Sequence, residues 1–234
     1  MKKFYIISLF PDFIQSFKNH SMIYRAEKNK VIKIIPIDLR KFGISKRKTV
    51  DGNSVGGGGG MLLRVDVIIN AIDSVKKKDK KTIVILLDPK GKTFVQSDAI
   101  KYSKIKSNII LVCGHYEGVD DRVNDYIDYK VSIGNYVLTG GEMPAMVVVD
   151  AVSRNIKGFF GDKTPHLNDS FCIKFDNFKL NKNCKFKIEN CYEYPQYTKP
   201  NEFEGKKIPE ILFSGNHKII DDWKHQQALK ITKK

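Results

Sequence analysis

The chain has 234 residues, 41% of them hydrophobic, enough for one sizeable core with a smaller appendage. No apolar stretch reaches the roughly 18 residues that read as a membrane span. The four cysteines (Cys113, Cys172, Cys184, Cys191) form no C-x-x-C pair, which argues against a zinc site or a disulfide framework and for a reducing cytoplasm.

Lys and Arg outnumber Asp and Glu by 41 to 26, a net charge of +15. Such a charge suits a polyanionic partner, because cations placed near phosphates release counterions. It equally suits a lysine-rich composition with no such partner. Only Arg25, Arg40, Arg47, Arg64, Arg122 and Arg154 are arginines, the side chain adapted to forked contacts with phosphates and base edges.

In chain order, Met1–Ile7 opens like a secretion signal, but Pro11-Asp12 ends the apolar run and no small-residue cleavage site follows. Phe4–Phe10 therefore reads as a buried strand, with Pro11 in the first turn of a helix. Val31–Asp38 reads as a second strand whose end Pro36 weakens. Lys41–Gly60, polar and Gly-rich, reads as a loop. Asp66 is a candidate cap for a helix over Val67–Val75, with Ile68, Ile69 and Ile72 on one face, and Lys76–Lys81 reads as a charged turn. Thr82–Leu87 and Asn108–Cys113 read as strands, separated by a helix that Ser97 would cap and that ends near Ile105. A short acidic helix near Asp120–Tyr126, a strand over Tyr129–Ile133 and a helix over Glu142–Asn155 complete the pattern, the last with Ala145, Met146, Val149 and Val152 inward. From Phe159 to Thr198 the period is lost; this reads as a linker with a hairpin around Phe175–Tyr192. Lys218–Lys230 is helical again, with Ile219, Trp223 and Ala228 or Gln227 near one face.

The alternation predicts an α/β fold: a mostly parallel sheet with helices on both faces, plus a small helical C-terminal domain. The expected division is residues 1–160, a linker over 161–195 and a C-terminal domain over 196–234.

Three loops each follow a predicted strand: Asp88–Gly91, Gly114–Gly118 and Gly134–Gly141. Ligands of open α/β sheets sit outside the carboxyl ends of the strands, and glycines there let backbone approach a ligand closely, so one pocket lined by the three loops is expected. Val55–Met61 holds five consecutive glycines but lacks the Lys-Ser/Thr of a P-loop and the G-x-G-x-x-G of a dinucleotide fold, and reads better as a loop that closes over a substrate. A nicotinamide-dependent oxidoreductase has the right fold class without the fingerprint. His115, His166, His217 and His225 are scattered and read as structural or surface residues.

Val55–Leu62, Val112–Arg122 (VCGHYEGVDDR) and Ser132–Arg154 (SIGNYVLTGGEMPAM…DAVSR) resemble the bacterial tRNA (guanine-37-N1)-methyltransferases. So do Ile6–Pro11, Asn168–Phe171, Pro195–Pro200 and Leu212–His217. The resemblance implies a SPOUT-class fold with a deep trefoil knot, a feature that chain topology normally avoids. It implies a cytoplasmic homodimer with a shared active site, a tRNA substrate, no membrane, S-adenosylmethionine as methyl donor, and dependence on Mg2+, although no metal-ligand spacing is visible here.

Residue by residue, the donor site of the family falls on Leu87, Pro89, Gly114, Tyr116, Glu117, Gly118, Ile133, Gly134, Tyr136, Leu138, Gly140, Gly141 and Pro144. Asp169 matches the family's general base, and Arg154 a residue beside the target guanine. Without the resemblance, Asp169 reads as an Asx turn or helix cap, Glu117 as a turn residue, and Arg154 as a cation complementing a helix C-terminus. Three departures stand out: five glycines where the family often has a proline, which makes for a floppier loop; Asp88 and Lys90 where Ser and Gln are common; and an insertion over Cys172–Cys191. The family usually continues with further helices beyond Lys230, so a shortened tRNA-binding tail is expected. A second functional reading is an RNA-binding protein of the same fold with reduced or lost catalysis.

Overall fold

The computed structural model describes residues 1–57, 59–161, 169–171 and 191–232. All but the last two residues of the hairpin expected near Phe175–Tyr192 lie outside the described residues, as do His166, Asn168, Cys172 and Cys184. The chain divides into two compact units, Met1–Lys163 and Thr164–Lys234.

The first unit is built on a five-stranded, wholly parallel sheet. Its strands are β1 (Lys2–Ser8), β2 (Ile32–Asp38), β5 (Thr82–Thr93), β6 (Asn108–Cys113) and β7 (Tyr129–Ser132), in the order β2-β1-β6-β5-β7. Two more strands, β3 (Asp51–Asn53) and β4 (Met61–Leu63), form a separate antiparallel pair. The helices of this unit are α1 (Pro11–Lys18), α2 (Ser21–Lys28), α3 (Val65–Lys78), α4 (Gln96–Lys104) and α5 (Glu142–Ser153).

Strand alternation assigns the two layers. Phe4 and Ile6 of β1 point to one face, where Ile14 of α1, Ile23 and Ala26 of α2, Ala99 and Tyr102 of α4, and Ala145, Val148, Val149 and Val152 of α5 cover them. Tyr5, Ile7 and Leu9 point to the other, where α3 supplies Val67, Ile68, Ala71, Ile72 and Val75. A parallel sheet covered on both faces needs such nearly continuous apolar strands.

Several boundaries differ from expectation for identifiable reasons. β2 ends at Asp38 as expected and Pro36 does not shorten it, because β2 is an edge strand and an edge tolerates a missing donor. α3 begins at Val65 and is not capped by Asp66, whose carboxylate instead pairs with Arg64 (2.8 Å) and accepts the Val67 N–H (3.0 Å). The same helix absorbs Lys76–Lys78, read from sequence as a turn; cations in a last turn complement the helix dipole. Ser97 lies inside α4, and Asp98 takes the capping role by accepting the Val95 N–H (3.3 Å). The acidic helix is a 3-10 turn over Asp121–Tyr126, opened by Asp120 accepting the Arg122 N–H. Lys41–Gly60 is not all loop: an Ile44–Thr49 bridge and β3 interrupt it. α2 had no sequence counterpart.

In the second unit, β8 (Glu202–Phe203) and β9 (Lys206–Lys207) form a hairpin whose two turn residues, Glu204 and Gly205, both have positive φ. α6 (His217–Thr232) buries Ala228 and sets Trp223 against Tyr197. Ile219 is 46% exposed and so is not part of the inner face expected for it.

One polar cluster ties three elements of the first unit together. Asp79, just past α3, accepts from Asn108 Nδ2 (2.7 Å), Tyr5 Oη (3.1 Å) and Lys3 Nζ (3.3 Å). Burial opposes its ionisation, but these three donors outweigh burial and hold the carboxyl below its ordinary value of 3.8. A group with a depressed folded pKa contributes stability above its unfolded pKa and loses it as pH falls through the folded value. Asp79→Ala should therefore lower stability by about 1–3 kcal/mol at neutral pH. Urea melts should show that deficit shrinking as the pH drops below 3.8.

Candidate active site

The carboxyl ends of β5, β6 and β7 lie side by side, and the loops leaving them enclose a cavity of about 430 Å³. This is within the usual range for a small-molecule site. All thirteen residues that the resemblance marks for the donor line it: Leu87 and Pro89 from the first loop; Gly114, Tyr116, Glu117 and Gly118 from the second; Ile133, Gly134, Tyr136, Leu138, Gly140 and Gly141 from the third; and Pro144 from the first turn of α5.

Each loop is shaped by a specific constraint. β5 does not end at Leu87, as its sequence suggests. It bulges outward over Asp88–Gly91 and rejoins β7, so that Val131 is paired first with Leu87 and again with Lys92. Gly91 makes the return possible, since a Cβ there would sit 2.5 Å from the Val131 nitrogen. Asp88 stiffens the bulge by accepting the Lys90 N–H (2.7 Å).

The second and third loops are stitched together by the His115–Gly140 bridge and by a Gly141 N–H to Gly114 carbonyl bond of 2.8 Å. At Gly141 the two backbones are so close that a Cβ would lie 2.6 Å from Cys113 Cα and 2.8 Å from the Gly114 nitrogen. The third loop folds on itself: Ser132 Oγ donates to the Gly134 carbonyl (3.0 Å) and Tyr136 Oη to the Ile133 carbonyl (3.3 Å).

Behind the cavity lies a buried carboxylate that sequence reasoning missed. Glu142, 6% exposed at the start of α5, accepts from Ser8 Oγ (2.7 Å), and the same hydroxyl accepts the Phe10 N–H (2.8 Å). An acid in a first helical turn ordinarily faces solvent, so nothing in the local pattern marked it. Burial pushes the Cys113 thiol well above its ordinary pKa, and the Glu142 charge adds to the effect, leaving an unreactive cysteine beneath the site.

The walls are chiefly apolar, with the carboxylates of Asp88, Glu117 and Asp121 and the ammonium of Lys90 among the lining side chains. Leu62 and Asp121 also line the cavity without having been expected there, and His115, Val137 and Thr139 join the residues marked for the donor. His115, Val137 and Thr139 sit in loops already marked by their glycines. Leu62 carried no donor-site signal of its own. Asp121 is brought in because Leu63 bridges Val119 and its carbonyl accepts the Asp120 N–H (3.0 Å).

Arg154 lies elsewhere in the unit. It closes the C-terminus of α5, stacks its guanidinium over Phe160 (5.4 Å) and lines a second cavity of about 230 Å³ with Phe17, His20 and Asp150. Burial raises the Asp150 carboxyl, and the Arg154 charge partly offsets that. Asp169 belongs to the second unit. Among the described residues no group of three or more His, Cys, Asp or Glu is gathered to hold a metal ion. No helix among the described residues is long and apolar enough to cross a membrane.

A parallel sheet carrying a three-loop cavity at its carboxyl rim is the architecture of α/β proteins that bind small molecules at the strand ends. The profile described as tRNA (Guanine-1)-methyltransferase TrmD matches residues 1–234, and the chain belongs to that family. Its relatives include proteins named tRNA (guanine-N(1)-)-methyltransferase from three bacteria. The one from Sulfurihydrogenibium sp. is 41% identical over 232 residues, covering 99% of this chain and 85% of its own. The Clostridium perfringens relative is 42% identical over 231 residues, 99% of this chain and 90% of that one. The Mycoplasma mycoides relative is 44% identical over 233 residues, 99% and 89% respectively.

The contact at Gly141 gives a direct test of the site's construction. Gly141→Ala must push the second and third loops apart, because backbone and not a flexible side chain stands in the way. It should destabilise the fold by about 1–3 kcal/mol. Calorimetry should also show ligand affinity at the cavity reduced at least about tenfold, the equivalent of ~1.4 kcal/mol.

Proposed function

We propose that this protein transfers a methyl group from S-adenosylmethionine to N1 of guanine 37 in tRNA, with Asp169 as general base and Arg154 stabilising the guanine. The observation that carries the reading is the convergence of all thirteen donor-site residues on one cavity of a chain that belongs to this enzyme family.

The cavity suits the donor chemically. Its apolar walls can hold a flat purine ring, its backbone loops can approach ribose and carboxylate groups closely, and the Asp88, Glu117 and Asp121 side chains favour a cationic sulfonium. When bound, the donor supplies an already activated methyl group. Guanine N1 carries a proton and becomes nucleophilic by losing it, so a carboxylate at Asp169 serves as the acceptor. Negative charge then grows on the guanine O6 side, where the Arg154 guanidinium is the stabilising group. The three loops orient the donor for in-line attack. The described residues gather no donor set for Mg2+, and no step is assigned to it.

Arg154 lines a cavity other than the donor cavity, which favours its delivery to the active site of a second copy of this chain. An exposed apolar stripe supports such a homodimer: Met143 (52% exposed) and Val147 (44%) of α5 lie on the helical face that leads to Arg154. Phe13 of the neighbouring α1 is similarly exposed. A patch of this kind marks an association surface. We further assign the family's trefoil knot to the first unit, supported by the close backbone passages at Gly91 and Gly141, a role in tRNA docking to the second unit, and a cytoplasmic setting.

Incubation of tRNA with the protein and donor, followed by nucleoside mass spectrometry, should yield 1-methylguanosine at position 37. Asp169→Asn should cut single-turnover methylation by about 10²–10⁴ while leaving donor affinity unchanged. Arg154→Ala should cut it by about 10²–10³ without unfolding the chain. Full turnover by Asp169→Asn would remove Asp169 as the base. Tight tRNA binding by the native protein without product would leave an RNA-binding protein of this fold.

A further inference from the structure

Between Leu39 and Val50 the chain carries five cations, Arg40, Lys41, Lys46, Arg47 and Lys48, and no acidic residue. All five are exposed, and none makes an ion pair among the described residues. Two of the chain's six arginines fall here.

The segment is a built feature. Its two ends are rooted in the core through Leu39 and Val50, 1% and 2% exposed. Ile44 and Thr49 exchange two backbone hydrogen bonds of 2.9 Å, closing the turn Ser45–Lys48. Within that turn the Lys48 N–H donates to the Ser45 carbonyl (3.2 Å). Ser45 and Lys48 both have positive φ (63° and 52°), a conformation that non-glycine residues adopt sparingly. Gly43 completes the turn, because a Cβ there would collide with the Lys48 backbone.

The fold thus holds three consecutive cations, Lys46, Arg47 and Lys48, at a fixed turn where they repel one another, a cost that a bound polyanion relieves. The other lysine run, Lys76–Lys78, has a structural explanation at the C-terminus of α3 that Lys46–Lys48 lack.

The turn is also connected to the active site. Val50 accepts the Arg64 N–H (3.0 Å), β3 pairs with β4, and Met61 of β4 accepts the Glu117 N–H (3.1 Å) at the cavity. At ~3.4 Å per extended residue, Lys48 lies within about 17 Å of Asn53, the β3 residue paired with Met61. A structured RNA with a base near the cavity has backbone phosphates within that reach.

We propose that the basic turn Lys46-Arg47-Lys48, with Arg40 and Lys41 at its base, is a phosphate-backbone contact for the tRNA substrate. The proposal rests on the tRNA reading above. Phosphate contacts of this kind position a nucleic acid without reading its sequence.

The test compares native protein with the triple variant Lys46→Gln, Arg47→Gln, Lys48→Gln in equilibrium binding of a tRNA transcript over a range of salt concentrations. The variant should bind about tenfold or more weakly at physiological salt, with the log–log salt slope shallower by roughly 2–3. Donor affinity, melting temperature and methylation rate at saturating tRNA should be unchanged. The matched variant Lys76→Gln, Lys77→Gln, Lys78→Gln should lose far less. Native affinity and slope in the turn variant would overturn the proposal, as would equal losses in both variants, which would reduce the effect to net charge. Absence of any tRNA binding by the native protein would instead defeat the tRNA reading itself and the proposal with it.

Discussion

Two stretches of backbone touch at Gly141, and the cavity depends on that contact. The third loop lies directly on the end of β6, with its amide bonded to Gly114 and no room for a single methyl group between them. Once this crossing is made, the positions of Gly114, His115, Gly140 and Pro144 follow, because each is within a few residues of a fixed point. The buried Ser8–Glu142 bond clamps the crossing from behind by tying the start of α5 to the end of β1. The site is therefore held by backbone geometry and one buried carboxylate, with few side-chain contacts of its own.

Much of this was legible in the residues. The apolar runs at Phe4–Ser8, Thr82–Leu87 and Asn108–Cys113 are strands because a parallel sheet buried on both faces tolerates little else, while the run expected to reach Phe10 stops at Ser8. Glycines after three successive strands located the rim, and the long consecutive motifs carried the family. What escaped was set by tertiary contacts. α2 and β3 span only eight and three residues, too few for a period to stand out in the sequence. The return of β5 onto β7 depends on pairing Lys92 with a residue about forty positions away, which local pattern does not encode. Glu142 looked like any acid at a helix start until Ser8 was found beside it. Arg154 and Asp169 are marked only by family motifs, since each has an ordinary local explanation in a single chain.

The charge distribution resolves a tension in the composition. A chain with net charge +15 places three carboxylates and one lysine around its cavity. Among the described residues, runs of cations stand away from it at the Lys46–Lys48 turn and in the last turn of α3. Such separation lets one protein attract a polyanion over its surface while keeping a small pocket hospitable to a cation.

The double pairing of Val131 has a mechanical consequence. Because β7 is an edge strand held along one side only, and because the bulge that forms the cavity wall begins and ends on that strand, the wall cannot swing away as an independent flap. Peeling it back would unzip the margin of the sheet. Amide hydrogens at Leu87, Lys92 and Val131 should therefore exchange together, in a single cooperative opening.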